Sequence, residues 1–157
     1  MQAGINIRPY AKECLKELSK FFEIIVFTAS HSCYANVVLD YLDPENKLIS
    51  KRLFRDHCVQ TEEGMYIKNL KVLGQRNLSD VLIIDNAAYS FGYQLDNGIP
   101  CIPFYDDKND VELKNFMAYA RHLATVPNMV SFNRNYFQLF KYIEDPNPEA
   151  LIEKLFK

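Results

Sequence analysis

Short apolar runs alternate with helix-periodic segments along most of the chain. Three runs have the length and composition of buried strands: IIVFT (24–28), VLIID (81–85) and IPCIPF (99–104). Apolar side chains recur with helical spacing in three other segments, residues 11–22, 34–42 and 113–123. Alternating strands and helices predict an α/β fold, in which a parallel sheet carries helices on both faces.

Turn and cap residues predict the smaller elements. Residues 52–60 have strand character, and the turn at Glu63-Gly64 should return the chain as a hairpin arm at 65–67. Gly74 should stop the short helix that precedes it. Asn109-x-x-Glu112 resembles a capping box at the start of the last long helix.

The C-terminal part of the chain departs from this alternation. We divide the chain into an α/β domain, residues 1–124, and a helical, aromatic-rich extension, residues 125–157. The extension should form two short helices around Asp145-Pro146 and pack on its own domain. The alternative is that it docks a partner through its aromatic face, which comprises Phe132, Tyr136, Phe140 and Ile143.

Composition narrows the class of protein. The 157 residues are 48% hydrophobic and 24% charged, which is ordinary for one globular domain with a real core. A net charge of −2 gives no support to nucleic-acid binding. No apolar run approaches a membrane span, and MQAGINIRPY contains no signal-peptide core, so we expect a cytoplasmic or nuclear protein without membrane contact. The four cysteines form no CxxC pair, which disfavours zinc.

Polar residues stand where two of the predicted strands end. Thr28 closes the first run, Asp85 and Asn86 close the second, and Lys68 lies between them in the sequence. Ligands of open α/β sheets bind at the carboxyl ends of the strands. A hydroxyl, a lysine and an Asp/Asn pair suit phosphoryl transfer, since they can bind phosphate oxygens and a hydrated Mg²⁺. The alternative is that these residues only cap helices or face solvent.

Several segments together resemble one known family. RPYAKECLKELSKFFEIIVFTAS, RLFRDHC, YIKNL and LIIDNAAYSF…DNGIPCIPF follow one another at fitting spacing. They are similar to the small C-terminal-domain phosphatases, also called nuclear LIM interactor-interacting factor-like phosphatases, of the haloacid dehalogenase superfamily. The resemblance covers roughly residues 5–124 and implies a Rossmann-like parallel sheet and a Mg²⁺-dependent phosphatase acting on phosphoserine or phosphothreonine in proteins.

The resemblance also implies roles for individual residues. Thr28 would bind phosphate, and Lys68 would neutralise both the phosphoryl group and the nucleophile. Asn86 would ligate Mg²⁺, while Asp85 would orient metal-bound water and Lys68.

Two arginines are candidates for substrate binding under the same resemblance. Arg52 and Arg55, in RLFRD, would contact the phosphate or polar groups of the substrate.

One element of that family is missing from the sequence. The DxDx(T/V) motif, which carries the aspartyl nucleophile and the general acid, occurs nowhere; DYLDP, DDKND and IEDPNP lack its spacing. The family's first strand should lie before Ile5. We therefore expect a truncated phosphatase that is inactive by itself and binds Mg²⁺ weakly or not at all. The alternatives are a natural pseudophosphatase acting as a scaffold and an unrelated α/β ligand-binding domain.

The missing strand leads to an expectation about the sheet. In the superfamily it lies between the strands ending in Thr28 and Asp85, and buried strands need backbone partners. We expect this position to be filled by a strand from another chain or from an upstream segment. Otherwise the two strands should pair with each other.

Overall fold

The backbone alternates between strands and helices as the apolar pattern predicts. The structure, a computed structural model, describes residues 4–141. The strands are β1 (Ile24–Phe27), β2 (Ile49–Leu53), β3 (Val59–Gln60), β4 (Tyr66–Ile67), β5 (Ile83–Asp85) and β6 (Gly98–Pro100). The α-helices are α1 (Ala11–Leu18), α2 (Ser32–Leu42), α3 (Glu112–Leu123) and α4 (Met129–Phe137). The 3₁₀ helices are Arg55–His57, Leu70–Leu73, Leu78–Asp80 and Ala88–Asn97.

The strands form three two-stranded sheets. β1 pairs in parallel with β2, and β5 pairs in parallel with β6. β3 and β4 form the predicted antiparallel hairpin, in which Gly64 takes a φ of 84° that favours glycine. Parallel strands alternating with helices confirm the α/β class.

β1 and β5 do not hydrogen-bond to each other. Within residues 4–141, β1 pairs with β2 and β5 pairs with β6. The expectation that these two strands would pair directly is therefore wrong. β1 and β5 each pair with the parallel strand that comes next along that part of the chain. The helical connection after each of them returns the chain alongside it, so this partner is determined by the connection.

Two apolar clusters stabilise the two parallel pairs. One joins α1 to α3 and extends to β1; it contains Cys14, Leu18, Ala120, Phe22, Ile24, Leu113, Phe116 and Met117. The other lies beside β5 and is built on Leu70, Ile83, Phe91 and Leu139. Phe91 has no exposed surface, and a Cβ on Gly98 would come within 2.1 Å of its ring. The fold therefore requires glycine at residue 98, because any larger residue would displace the most buried aromatic side chain.

The burial of β1 differs from its prediction. The run IIVFT (24–28) is predicted to be a buried strand, but the four residues of β1, Ile24–Phe27, are only half-buried. Ile83 and Asp85 in β5, and Gly98 and Ile99 in β6, are buried. The run VLII (81–84) is similarly apolar, and only Ile83 in it is buried. The difference from β1 therefore comes from the packing around Ile83.

Three local predictions need correction. The predicted strand over 99–104 is reduced to β6, Gly98–Pro100, because the prolines in this run cannot donate to a strand partner. Residues 55–57 form a 3₁₀ turn, so the predicted strand over 52–60 is split into the end of β2 and the short β3. Asn109 does not cap α3; instead Asp110 Oδ1 accepts a 3.0 Å hydrogen bond from the Glu112 backbone N–H. The carboxylate of Asp110 is fixed there because Arg8 Nε and Nη2 both donate to it.

The beginning of the C-terminal extension packs on the domain. The side chain of Asn133, in α4, is 1% exposed and donates to the carbonyls of Asp96 and Gly98, at 2.8 Å each. Tyr119 in α3 donates to Asn133 Oδ1 at 3.0 Å. This packing agrees, for α4, with the interpretation that the extension packs on its own domain. The second predicted helix and Ile143 lie outside the described residues, and the division at residue 124 remains a prediction.

Candidate active site

An ion pair between Lys68 and Asp85 lies at the carboxyl end of β5. Lys68 Nζ donates to Asp85 Oδ2, and the two side chains are 12% and 8% exposed. The Ala87 backbone N–H donates to Asp85 Oδ1 at 2.8 Å. Removing either partner would leave an uncompensated buried charge, which is strongly unfavourable. The pair therefore holds both charged groups at fixed positions.

Lys68 and the two residues after it are hydrogen-bonded to the 3₁₀ helix Ala88–Asn97. The Lys68 backbone N–H donates to Ser90 O at 2.6 Å. Gln94 Oε1 accepts from the Leu70 N–H at 3.1 Å, and its Nε2 donates to Asn69 Oδ1 at 2.9 Å. Gln94 was not singled out in the sequence, since a lone glutamine gives no local signal of this contact.

Thr28 lies directly after β1. Its N–H donates to Leu53 O at 2.9 Å, which continues the pairing with β2, and its Oγ1 accepts from the Ser30 N–H at 3.1 Å. The hydroxyl hydrogen is thus available to an acceptor such as a phosphate oxygen.

The two candidate arginines have different surroundings. Arg52 donates to Asn36 Oδ1 at 2.9 Å, to Asp40 Oδ1 at 2.7 Å and to Asn46 Oδ1 at 2.7 Å. These contacts bind its guanidinium to α2 and the following turn. The structure does not bring Arg52 together with Lys68 and Asp85.

Arg55 points toward the loop after Thr28. Its Nε donates to Ala29 O at 2.7 Å, and its backbone N–H donates to Ser30 O at 3.1 Å. Its guanidinium carbon lies 4.8 Å from the centre of the Tyr66 ring. Of the two arginines, Arg55 is the one that lies beside other candidate site residues.

Cys58 lies within electrostatic range of the candidate site. Burial raises the pKa of its thiol, the positive charges of Lys68 and Arg55 lower it in part, and the Asp85 carboxylate raises it further. The charges of Arg55, Lys68 and Asp85 therefore all act on this one thiol. The sequence contained no signal for this, because Cys58 forms no motif with another cysteine.

The described residues do not by themselves form a complete Mg²⁺ site. Mg²⁺ takes six oxygen ligands in octahedral geometry and is held in proteins through carboxylates. Both oxygens of Asp85 already accept hydrogen bonds, and the exposed Asn86 adds a single amide oxygen. Within residues 4–141 no cluster of three or more His, Cys, Asp or Glu side chains could hold a metal. Further carboxylates would be needed.

The chain matches one known protein family over most of its length. Residues 1–131 match the family described as NLI interacting factor-like phosphatase. The chain belongs to this family. The resemblance seen in the sequence is thereby confirmed.

Two proteins of this phosphatase family show the degree of similarity. CTD small phosphatase-like protein 2 of Dictyostelium discoideum is 45% identical over 136 residues, which cover 87% of this chain and 24% of that protein. CTD small phosphatase-like protein 3 of Caenorhabditis elegans is 45% identical over 80% of this chain and 43% of that protein. The chain therefore spans less than half the length of these relatives.

A solved structure supports the fold. The chain is similar to the structure titled "The Structure of Fcp1, an essential RNA polymerase II CTD phosphatase", with a TM-score of 0.56 and 23% identity over 90% of this chain and 39% of that one. This likeness confirms the haloacid dehalogenase-like fold.

No helix among residues 4–141 is long and apolar enough to cross a membrane.

Proposed function

We propose that this chain is the larger part of a Mg²⁺-dependent protein phosphatase domain that removes phosphate from phosphoserine or phosphothreonine. The observation that carries this proposal is the buried Lys68–Asp85 pair at the carboxyl end of β5. A lysine fixed in this way can neutralise a phosphoryl group without reorganising during the reaction. The family of the chain supports the same reaction class.

Each candidate residue has a role in this proposal. Thr28 Oγ1 donates to a phosphate oxygen, and Lys68 binds the same phosphoryl group. Asp85 holds Lys68 in place through Oδ2. Asn86 contributes an oxygen to a Mg²⁺ site whose remaining protein ligands come from the segment that carries the DxDx(T/V) motif.

That segment is also the proposed partner of the sheet. Within residues 4–141, β1 and β5 each have one strand neighbour. A strand from an upstream segment or from another chain would pair with the second edge of both. Its carboxyl end would lie near Thr28 and Asp85, where an aspartyl nucleophile could attack the phosphoryl group.

The proposed substrate is a phosphoprotein. The human protein named carboxy-terminal domain RNA polymerase II polypeptide A small phosphatase 1 is 37% identical over 133 residues, which cover 85% of this chain and 50% of that protein. By this similarity we propose a phosphorylated protein domain as the substrate class, encountered in the nucleus or the cytoplasm.

The test compares residues 1–157 with the longest open reading frame of the source transcript that contains them. We expect residues 1–157 alone not to hydrolyse p-nitrophenyl phosphate or a phosphoserine peptide, because covalent catalysis needs the aspartyl nucleophile. The longer protein should show Mg²⁺-dependent turnover that Lys68→Ala abolishes. Lys114→Ala, an exchange of an exposed lysine in α3, is the matched control and should leave turnover unchanged.

Two results would contradict the proposal. Turnover by residues 1–157 alone that is lost in Lys68→Ala would show that the nucleophile lies within this sequence. An in-frame stop before Met1, or a longer protein that folds and binds phosphate without turnover, would establish the pseudophosphatase alternative.

A further inference from the structure

The guanidinium of Arg55 is held from three sides. Nε donates to Ala29 O at 2.7 Å, Nη1 lies 2.9 Å from His31 Nε2, and the Tyr66 ring covers one face at 4.8 Å. A guanidinium has only donors, so His31 Nε2 must be the acceptor and the proton of the neutral ring must lie on Nδ1. These contacts fix the plane of the guanidinium before any ligand binds.

The charge of Arg55 is not neutralised within the part of the chain that the structure describes. Arg8, Arg52, Arg76, Arg121 and Arg134 each form an ion pair with a carboxylate. Arg55 instead contacts a carbonyl, an imidazole and an aromatic ring. Its Nη2 has no acceptor among residues 4–141. A fixed, half-buried cation with spare donors suits an anion.

Arg55 also connects the two sides of the candidate site. Ala29, which accepts from its Nε, directly follows Thr28. Tyr66, which covers its face, lies two residues before Lys68 on the strand that leads into the site. The thiol of Cys58 is acted on by the charges of both Arg55 and Lys68. The guanidinium thus contacts both the loop after β1, at Ala29, and β4, at Tyr66, the strand that precedes Lys68.

We propose that Tyr66 is a positioning residue that, together with the Ala29 carbonyl and His31, holds Arg55 where it meets the same phosphate as Lys68. This inference rests on the proposed function, because it deepens the account of the same site. The ring of Tyr66 excludes water from one face of the guanidinium and attracts its charge through the ring quadrupole. The phosphate then finds two cations whose separation is already set, so less ordering is needed on binding.

The experiment titrates residues 1–157 with inorganic phosphate and follows the backbone amides of residues 28–30 and 86–90 by NMR. Tyr66→Leu removes the ring and should weaken phosphate binding about fivefold, the effect of one partly exposed cation–π contact. Tyr66→Phe keeps the ring and should retain the affinity to within about twofold, because the hydroxyl contributes little to the contact. Tyr105→Leu, the same exchange at a 78% exposed tyrosine, is the matched control and should change nothing.

A second variant separates positioning from general loss of structure. Arg55→Lys keeps the charge but cannot make the paired contacts to Ala29 O and His31 Nε2, so it should weaken phosphate binding as Tyr66→Leu does. Thermal melting of each variant is recorded in parallel. A merely structural role of Tyr66 would lower the melting temperature of both Tyr66→Phe and Tyr66→Leu, and phenylalanine would then not restore the phosphate affinity that leucine loses.

The outcomes distinguish this inference from the proposed function. Equal phosphate affinity in the natural sequence and in Tyr66→Leu would overturn the positioning role and leave the phosphatase proposal standing. Binding that depends on Tyr66 and Arg55, in a longer protein without turnover, would support the anion site and contradict the phosphatase proposal. Absence of phosphate binding in both the natural sequence and the longer protein would overturn both.

Discussion

The β1–β2 pair and the β5–β6 pair are both parallel and each begins with an apolar strand, but they differ in burial. All four residues of β1 are half-buried, and the middle of β2 is exposed at Ser50 and Lys51. In the second pair, the end residues of β5 are buried, as are the first two residues of β6. The second pair lies against a cluster that includes the fully buried Phe91, whereas the first is covered mainly through α1 and α3.

The difference in burial between the two strand pairs divides the candidate site into two parts. Lys68 and Asp85 belong to the buried part, where an ion pair and three backbone hydrogen bonds fix them. Thr28 belongs to the more exposed part. Arg55 reaches from the Thr28 loop to Tyr66, so it connects the two parts. A phosphate bound by Thr28 and Lys68 would therefore also stabilise the arrangement of the two strand pairs.

The largest expected effect concerns matched truncations in the two pairs. Ile83→Ala, at a side chain 9% exposed in β5, should lower the free energy of unfolding by about 3 kcal/mol through lost burial and a residual cavity. Ile25→Ala in the half-buried β1 should cost only about 1 kcal/mol. Urea denaturation of both variants gives the two values. Equal losses would show that the two pairs are equally buried in solution.

Amide hydrogen exchange should show the same contrast along the backbone. We expect the amides of Ile84 and Asp85 to exchange at least about tenfold more slowly than those of Val26 and Phe27, because exchange is faster where buried contacts are few. Exchange is followed by NMR at constant pH. A longer protein that supplies the proposed central strand should slow β1 exchange and thereby reduce the contrast; an unchanged β1 would argue against strand insertion beside it.

The affinity for Mg²⁺ should differ between residues 1–157 and a longer protein that supplies additional carboxylates. Asn86 supplies one amide oxygen, and one neutral ligand holds Mg²⁺ poorly because the ion gives up water reluctantly. NMR titration of residues 1–157 should show no saturation of the Asn86 side-chain signal below about 10 mM Mg²⁺. Asn86→Ala is the control for specific contact. Saturation in the micromolar range that this variant abolishes would show that the donor set is already complete.

The smallest expected effect concerns the Cys58 thiol. Because burial raises its pKa, alkylation by iodoacetamide should require a higher pH than an ordinary thiol needs, since only the thiolate reacts. Lys68 lowers that pKa in part, so Lys68→Met should raise it further and slow alkylation at a given pH. Mass spectrometry of the Cys58 peptide measures the rate. Lys114→Met is the control, and faster alkylation in Lys68→Met would contradict the placement of Lys68 near the thiol.

Much of the fold and the principal site pair were predictable from the sequence. Helical spacing located α1, α2 and α3, because amphipathic periodicity directly reflects which face is buried. The family resemblance implied that Asp85 would orient Lys68, and the structure brings the two side chains together. Strand ends and motif order are local features, so they can be read without knowing the packing.

Other features depended on contacts between distant segments. Arg52 and Arg55 stand three residues apart in one motif, yet α2 binds Arg52 while the loop after Thr28 binds Arg55. The 3₁₀ turn at Arg55–His57 separates them, and nothing in the local sequence specified it. The electrostatic influence of Lys68 and Arg55 on Cys58 likewise depends on the β3–β4 hairpin, which brings the chain back toward residue 58.

The sequence by itself determined the α/β alternation and the chemistry at the strand ends, because each depends on residues close together in the chain. Only the tertiary structure decided how deeply each apolar run is buried. IIVF and VLII are similarly apolar, yet Ile83 of the second run is buried whereas all four residues of the first are half-buried, because burial depends on which helices and strands pack around a run. The tertiary structure also decided that Arg55 and not Arg52 faces the site, because a long flexible side chain is oriented by partners that lie far away in the sequence.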